Sequence, residues 1–395
     1  MSEGSVGWDR DPVVAAWPGR PPLSGDVTAD ACVVGLGATG LAAVEDLAAR
    51  GLSVVGVDAG RIGGRAAGRN GGFLLAGPVH GLREAVEAWG FDDAVDLHWR
   101  TAAELDRLAE RLGPGIVRRV GSIRLAGLPG PDRDDAEAAD RARELADLAT
   151  EADLLRGLGV AVEDYDGPLG RGTYLPGNGA TNPAVRVLTT AATSPGTLYE
   201  HSPVTALRPG LVTCAAGAVH APVVVVAVDG RLDALLPGLP VRTARLQMLA
   251  TAPLADPTRV PCPVYGRWGY DYAQQTPDGR LFVGGARDRH EADEWTSEGE
   301  PTSAVQADIE QVATRLAGGP VSVADRWAAP VGFTADGRPV AGVVERGAGG
   351  GIAACGGYSG TGNLVGPVAA RVAVAALLDG APVPGWATDP VSRGG

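Results

Sequence analysis

The chain has 395 residues, 45% hydrophobic and 21% charged, enough for two or three hydrophobic cores or one large domain with a long insertion. Its 34 basic and 47 acidic side chains leave a formal charge of −13, a field that repels a phosphate backbone and excludes nucleic acid as a partner. Every basic side chain is arginine, so lysine Schiff-base chemistry is excluded as well.

Met1 to Pro22 holds acids, prolines and two tryptophans without a basic stretch followed by an apolar run, so no secretory leader is expected. Ala31 to Val34 then reads as a strand, Gly35-Leu36-Gly37-Ala38-Thr39-Gly40 as a tight turn, and Leu41 to Arg50 as a helix stopped by Gly51. A second strand, Leu52 to Val57, ends in Asp58 and completes a βαβ unit. Gly35 permits the turn, Gly37 lets backbone approach a pyrophosphate, and Gly40 lets the helix pack on the sheet. Asp58, 18 residues beyond Gly40, stands where an acid can hold ribose hydroxyls. The pattern fits NAD and FAD equally.

Leu82 to Leu112 carries apolar residues at helical spacing, and a second polar helix is predicted over Asp135 to Gly157 after the break at Pro129 to Asp132. Both suit an outer, partly solvated layer. Extended structure is predicted at Tyr174, at Leu198 to Leu207, and at Pro222 to Val228, where a valine run suggests burial on both faces. Trp268 to Gln275 and Arg280 to Gly284 flank the turn Thr276 to Gly279 as a hairpin, and a helix follows over Ser303 to Ala317. The strand Gly351 to Cys355 leads into a second glycine turn, Gly356-Gly357-Tyr358-Ser359-Gly360-Thr361-Gly362, and a closing apolar helix.

The four cysteines, Cys32, Cys214, Cys262 and Cys355, show neither C-x-x-C nor zinc spacing and read as reduced thiols in a cytoplasmic protein. The five histidines are scattered, so no metal is expected, and no stretch reaches the length of a membrane span.

The run from Asp58 to Gly72 resembles the flavin-binding stretch of the D-amino-acid oxidase and glycine oxidase superfamily, most nearly the branch of gamma-glutamylputrescine oxidoreductases. The resemblance returns at Asn182-Pro183-Ala184, Ser202-Pro203-Val204, Trp327 with Phe333 to Pro339, and Gly356 to Gly360, and so covers about residues 28 to 380. It implies an α/β fold: a doubly wound, Rossmann-like FAD domain of glutathione-reductase type beside an α+β substrate domain. The FAD domain is expected over 27–85, 175–235 and 325–390, the substrate domain over 86–174 and 236–324. Implied FAD contacts are Gly35, Gly37, Ala38, Thr39, Gly40, Asp58, Ala59, Arg61, Arg65, Gly68, Arg69, Asn70, Gly71, Gly72, Val204, Gly357, Tyr358, Ser359, Gly360, Thr361, Gly362 and Asn363. The last turn would set N–H groups and a helix N-terminus against negative charge on reduced flavin. Thr361 stands where the family often has histidine.

The implied reaction is hydride transfer from the carbon beside an amine nitrogen to flavin N5, followed by imine hydrolysis, with oxygen or another acceptor removing the electrons. The substrate is a small amine or amino-acid-like molecule, or an elaborated or carrier-bound intermediate if the chain is a tailoring enzyme. Two carboxylate clamps known in relatives fall at Val331 and Leu364 and are missing. Trp268, Tyr270, Tyr272 and Trp327 remain as pocket candidates, since aromatic faces suit an amine, although hairpin packing explains each as well. Arg267, Arg287 and Arg326 are candidates for anion recognition. The flavin is expected to be non-covalent, with Cys355 in a packing role. The rival reading is a flavin-binding subunit without turnover; an NAD-only dehydrogenase is the weaker one.

Overall fold

The computed structural model describes residues 6–347 and 349–390; the first five residues of the stretch expected to carry no leader lie outside them. The chain divides into two compact units, each made of three separated stretches. One comprises Met1–Arg10, Arg69–Pro183 and Arg245–Ala329; the other comprises Asp11–Gly68, Ala184–Ala244 and Pro330–Gly395. The first break thus falls inside the Gly68 to Gly72 run rather than at residue 85, because Phe73–Leu74 pairs with Gly179–Ala180.

The second of these units holds a six-stranded sheet in the order Val340–Gly347, Gly350–Gly356, Val223–Val226, Ala31–Val34, Val54–Val57, Thr197–Tyr199. Pairing is parallel except at the edge strand Val340–Gly347. All four valines of Val223–Val226 are buried, since that strand is central and covered on both faces. The helices Ala38–Ala49 and Val365–Leu378 pack together beside the sheet; Gly366 is needed there, because a Cβ would stand 2.3 Å from Thr39 Oγ1. The opposite face is covered not by helices but by a four-stranded sheet of Val27–Thr28, Gly217–Ala221, Gly210–Cys214 and Val204–Arg208. Its Val212, Cys214 and Val219 share a core with Val34, Val57, Val224 and Ile352. Helices on one face and a mainly antiparallel layer on the other, with only Val27–Thr28 pairing parallel, make the glutathione-reductase variant of the doubly wound plan.

The other unit is built on an eight-stranded sheet in the order Val323–Phe333, Arg242–Pro253, Arg280–Gly284, Asp271–Gln275, Val264–Gly266, Ser122–Leu125, Gly170–Leu175, Glu163–Gly167. Side chains alternate between its faces. Ile123, Val264, Ala273 and Val283 meet Val305, Ile309, Val312 and Leu316 of the helix Ser303–Ala317 on one of them. The helix Asp135–Gly157 starts at Asp134, whose carboxylate accepts from Glu137 N. Leu82 to Leu112 is two helices, Leu82–Trp89 and Phe91–Leu112, divided at Gly90, which adopts φ +91°.

The hairpin forms around Thr276 to Gly279, but its first strand is Asp271–Gln275. Trp268 precedes it in the short 3-10 turn Arg267–Gly269 and Tyr270 follows that turn, a correction to the expected strand from Trp268. The cause is Glu144, which accepts from Arg267 N at 3.2 Å and Trp268 N at 2.6 Å and holds both residues at φ 52° and 54°. Among the described residues, no helix is long and apolar enough to cross a membrane, and no His, Cys, Asp and Glu group could hold a metal ion.

Candidate active site

The first glycine turn behaves as its spacing predicts. Gly35 has φ +91°, and a Cβ on Gly40 would stand 1.8 Å from the Gly35 carbonyl oxygen. The helix Ala38–Ala49 has Gly37 as N-cap and no side-chain cap. The amides of Ala38, Thr39 and Gly40 therefore face outward as donors for an anion. Asp58 joins this turn to the next segment: it accepts from Leu36 N at 2.8 Å and Gly60 N at 2.9 Å, and burial raises its pKa.

Glu200, which no motif signalled, organises Ala59 to Arg65. It is buried and accepts from Ile62 N at 2.7 Å, Trp17 Nε1 at 3.0 Å and Arg20 N at 2.6 Å. Arg61 is half-buried and Arg65 exposed. Gly68 closes the tight turn after them, where a Cβ would stand 2.1 Å from the Gly63 carbonyl oxygen. Val204 opens its strand opposite Cys214.

The last turn divides into anchor and donor positions. Gly357 N and Tyr358 N both donate to Asp229 Oδ1, at 2.9 and 3.4 Å, and Ser359 N donates to the Gly332 carbonyl at 2.9 Å. Thr361 N turns back to the Tyr358 carbonyl at 2.9 Å, and Asn363 is held by Arg186 through Oδ1 and its carbonyl, at 3.0 and 2.7 Å. Gly360 and Gly362 are the positions of the turn whose N–H groups have no protein acceptor among the described residues, and a Cβ on Gly360 would meet nothing within 4 Å. An open cradle with two directed donors fits the pyrimidine edge of a flavin. Cys355 is buried, its thiol pushed up to about 12, with Sγ against the Ala369 carbonyl, which is a packing role.

In the eight-stranded unit, three consecutive carbonyls are pinned by side chains from three distant stretches. Trp327 Nε1 donates to Arg69 O at 2.8 Å, Trp8 Nε1 to Asn70 O at 2.9 Å, and Gln274 Nε2 to Gly71 O. Asn70 Oδ1 accepts from Gly72 N at 2.7 Å. In a trans peptide the N–H lies opposite the carbonyl, so fixing Asn70 O aims Gly71 N–H away from Trp8. Trp8 stacks on Phe282 at 3.6 Å and 10°, and Phe282 meets Trp327 edge-on at 6.0 Å.

Tyr272 lies on the same sheet face. Its ring packs across Gly284, stands 3.3 Å from an ideal Cβ on Gly71, and meets Phe73 edge-on at 5.8 Å. Tyr265 is its cross-strand partner, and the Arg124 guanidinium bonds the Tyr265 hydroxyl and approaches Glu151 at 3.4 Å. Trp268 and Tyr270 are exposed away from this group, at 44% and 41%. Trp327, at 2%, is buried behind it. Two of the three candidate arginines are engaged elsewhere: Arg267 with Asp271 and Asp288, at 2.6 and 2.7 Å, and Arg326 with Glu310 at 2.6 Å. Arg287 stands over the Trp295 ring. Val331 and Leu364, where clamps are missing, are both buried. Arg124, Tyr265, Phe73, Phe282 and Trp8 were missed; alternation along Ser122–Leu125 and Val264–Gly266 was the available signal for the first two.

Residues 30–376 match the family described as DAO, FAD dependent oxidoreductase. The chain belongs to that family. It is 30% identical to gamma-glutamylputrescine oxidoreductase of Escherichia coli over 288 residues, 67% of this chain and 66% of that protein, just under two thirds of its length. It is 38% identical to the probable oxidoreductase OrdL of Haemophilus influenzae over 93 residues, 23% of this chain and 21% of that protein. Glycine oxidase from Geobacillus kaustophilus has a similar fold, with TM-score 0.64 and 20% identity, covering 90% of this chain and 95% of that one. As a family member the chain is an FAD-dependent oxidoreductase.

Proposed function

We propose that this oxidoreductase oxidises the C–N bond of a small amine or amino-acid-like substrate to an imine that then hydrolyses. Bound FAD supplies the two-electron acceptor for the hydride leaving the carbon beside nitrogen. The unit of Asp11–Gly68, Ala184–Ala244 and Pro330–Gly395 is the FAD-binding domain, and the eight-stranded unit receives the substrate on its aromatic face. Ala38, Thr39 and Gly40 N–H hold the pyrophosphate, and Gly360 and Gly362 N–H the flavin's pyrimidine edge. What carries this reading is the pairing of two glycine turns that leave directed amides without protein acceptors. The names of the similar proteins, a putrescine-derivative oxidoreductase and a glycine oxidase, support the substrate class.

Substrate recognition falls to Tyr272, Tyr265 and Phe73, which offer an apolar and π-rich wall to a neutral amine. Arg124 is the cation beside them and would meet a carboxylate if the substrate has one. With no lysine in the chain, a non-oxygen electron acceptor is favoured. Four free, buried thiols suit a reducing, cytoplasmic setting. A panel of amines and amino acids, each mixed with the holoprotein and a redox dye, tests the proposal. Dye reduction by members of one amine class is expected, and reduction by none would sink it.

A further inference from the structure

Asp229 follows the buried strand Val223–Val226 with φ +43°, a left-handed conformation that an aspartate tolerates better than most side chains. Its carboxylate anchors three backbone amides from two places in one unit. Oδ1 accepts from Gly357 N and Tyr358 N, at 2.9 and 3.4 Å, and Oδ2 from Gly332 N at 3.0 Å. The contact with Gly332 is close enough that a Cβ there would stand 2.7 Å from Asp229 Oδ1.

We propose that Asp229 is a positioning residue of the oxidoreductase, an anionic anchor that shapes the last glycine turn and makes the electron affinity of the bound FAD depend on whether its carboxyl is ionised. This rests on the reading that Gly360 and Gly362 border the flavin. A buried negative charge beside the turn opposes the negative charge that reduction brings to the pyrimidine edge. Protonation removes that charge and turns an acceptor of three amides into a partial donor.

Burial raises the Asp229 carboxyl to about 6 despite its amide bonds, which places the switch within the working range. Few groups around it titrate there. Burial holds the Tyr358 phenol and the Cys355 thiol neutral, and Arg231 and Asp233 on the following segment are exposed, the latter taking the Thr243 hydroxyl at 3.4 Å. No basic side chain is hydrogen-bonded to the carboxylate among the described residues.

The test is the midpoint potential of FAD in the holoprotein between pH 5 and pH 8, for the natural chain and for Asp229→Asn. The natural chain should show an extra bend near pH 6 that the flavin's own protons do not explain. Asp229→Asn should lack the bend, with an oxidised-to-reduced equilibrium about tenfold more favourable to reduction at pH 8, about 30 mV for two electrons, and convergence at pH 5. The natural chain alone carries the test if the variant does not fold. Parallel curves, or no bend in the natural chain, would overturn the inference. Gly362→Val separates that from failure of the underlying reading, because its Cβ would crowd the cradle beside Tyr358. Unchanged FAD affinity there, in apoprotein of normal melting temperature, would mean the turn does not border the flavin; lost affinity with parallel potential curves would reject the role of Asp229 alone.

Discussion

The Trp327 indole N–H stands 2.8 Å from the Arg69 carbonyl, and the ring behind it is buried. A residue expected on a pocket wall therefore supports backbone. Trp327→Phe keeps the edge contact with Phe282 but removes the indole N–H that donates to the Arg69 carbonyl, at a cost of about 0.5–1.5 kcal/mol. FAD affinity should fall about tenfold, and Trp8→Phe should do the same through Asn70. Fluorescence titration of apoprotein with FAD measures both, with the exposed Trp99→Phe as the unaffected control. Equal affinity in all three would show that the pinned carbonyls do not set the flavin's seat.

Gly37 and Gly40 should fail differently. Gly40→Ala puts a methyl 1.8 Å from the Gly35 carbonyl oxygen and should lower the melting temperature with or without FAD. Gly37→Val meets only Ala67 Cβ at 3.0 Å and should fold but purify colourless. A yellow Gly37→Val protein would place the pyrophosphate elsewhere.

Gly35 and Gly40 of the first turn, and Gly357 and Gly360 of the last, were legible because each answers a backbone demand, a positive φ or an approach closer than a Cβ allows, which fixed spacing reports. The helix Ser303–Ala317 was legible from the helical spacing of Val305, Ile309, Val312 and Leu316, and Asp135–Gly157 from its polar run after the break at Pro129 to Asp132. Trp268 was misplaced because Glu144, 124 residues away in sequence, bends its backbone, and no local pattern announces that. Asp229, Glu200 and Trp8 were invisible for the same reason. Each acts on backbone brought near only by the fold.

The aromatic face makes a contrast between neighbours. Tyr272→Ala should slow substrate reduction about tenfold or more while FAD stays bound, whereas Trp268→Ala, exposed and bonded to Asp147, should leave reduction unchanged. Stopped-flow reduction of both variants decides it. Equal rates would move the substrate away from this sheet face.

Stability should carry the mark of Asp229 as well. Its folded pKa, about 6, lies above the ordinary 3.8, so its contribution to stability is full below about pH 4 and is lost as pH rises through 6. The melting temperature of apo Asp229→Asn minus that of the natural apoprotein should therefore climb between pH 4 and pH 7, an effect bounded by about 3 kcal/mol. A difference that is flat with pH would mean the carboxyl is not raised.

Reoxidation and flavin retention follow from missing side chains. No lysine can stabilise superoxide beside the ring, so reduced protein should react with oxygen more slowly than it turns over with a dye. No cysteine lies in Val323–Phe333, and Cys355 packs on Ala369, so acid precipitation should release all the flavin to the supernatant. Oxygen reoxidation as fast as turnover, or fluorescence retained on the denatured chain, would contradict these two expectations.

The most direct measurement is anaerobic mixing of the yellow holoprotein with its best amine from the panel, followed at the flavin absorbance, using substrate with and without deuterium at the carbon beside nitrogen. The C–N oxidation proposed above predicts complete bleaching with one equivalent of imine-derived carbonyl product, slowed by deuterium. A flavin that no amine or amino acid bleaches, while dithionite reduces it normally, would contradict it.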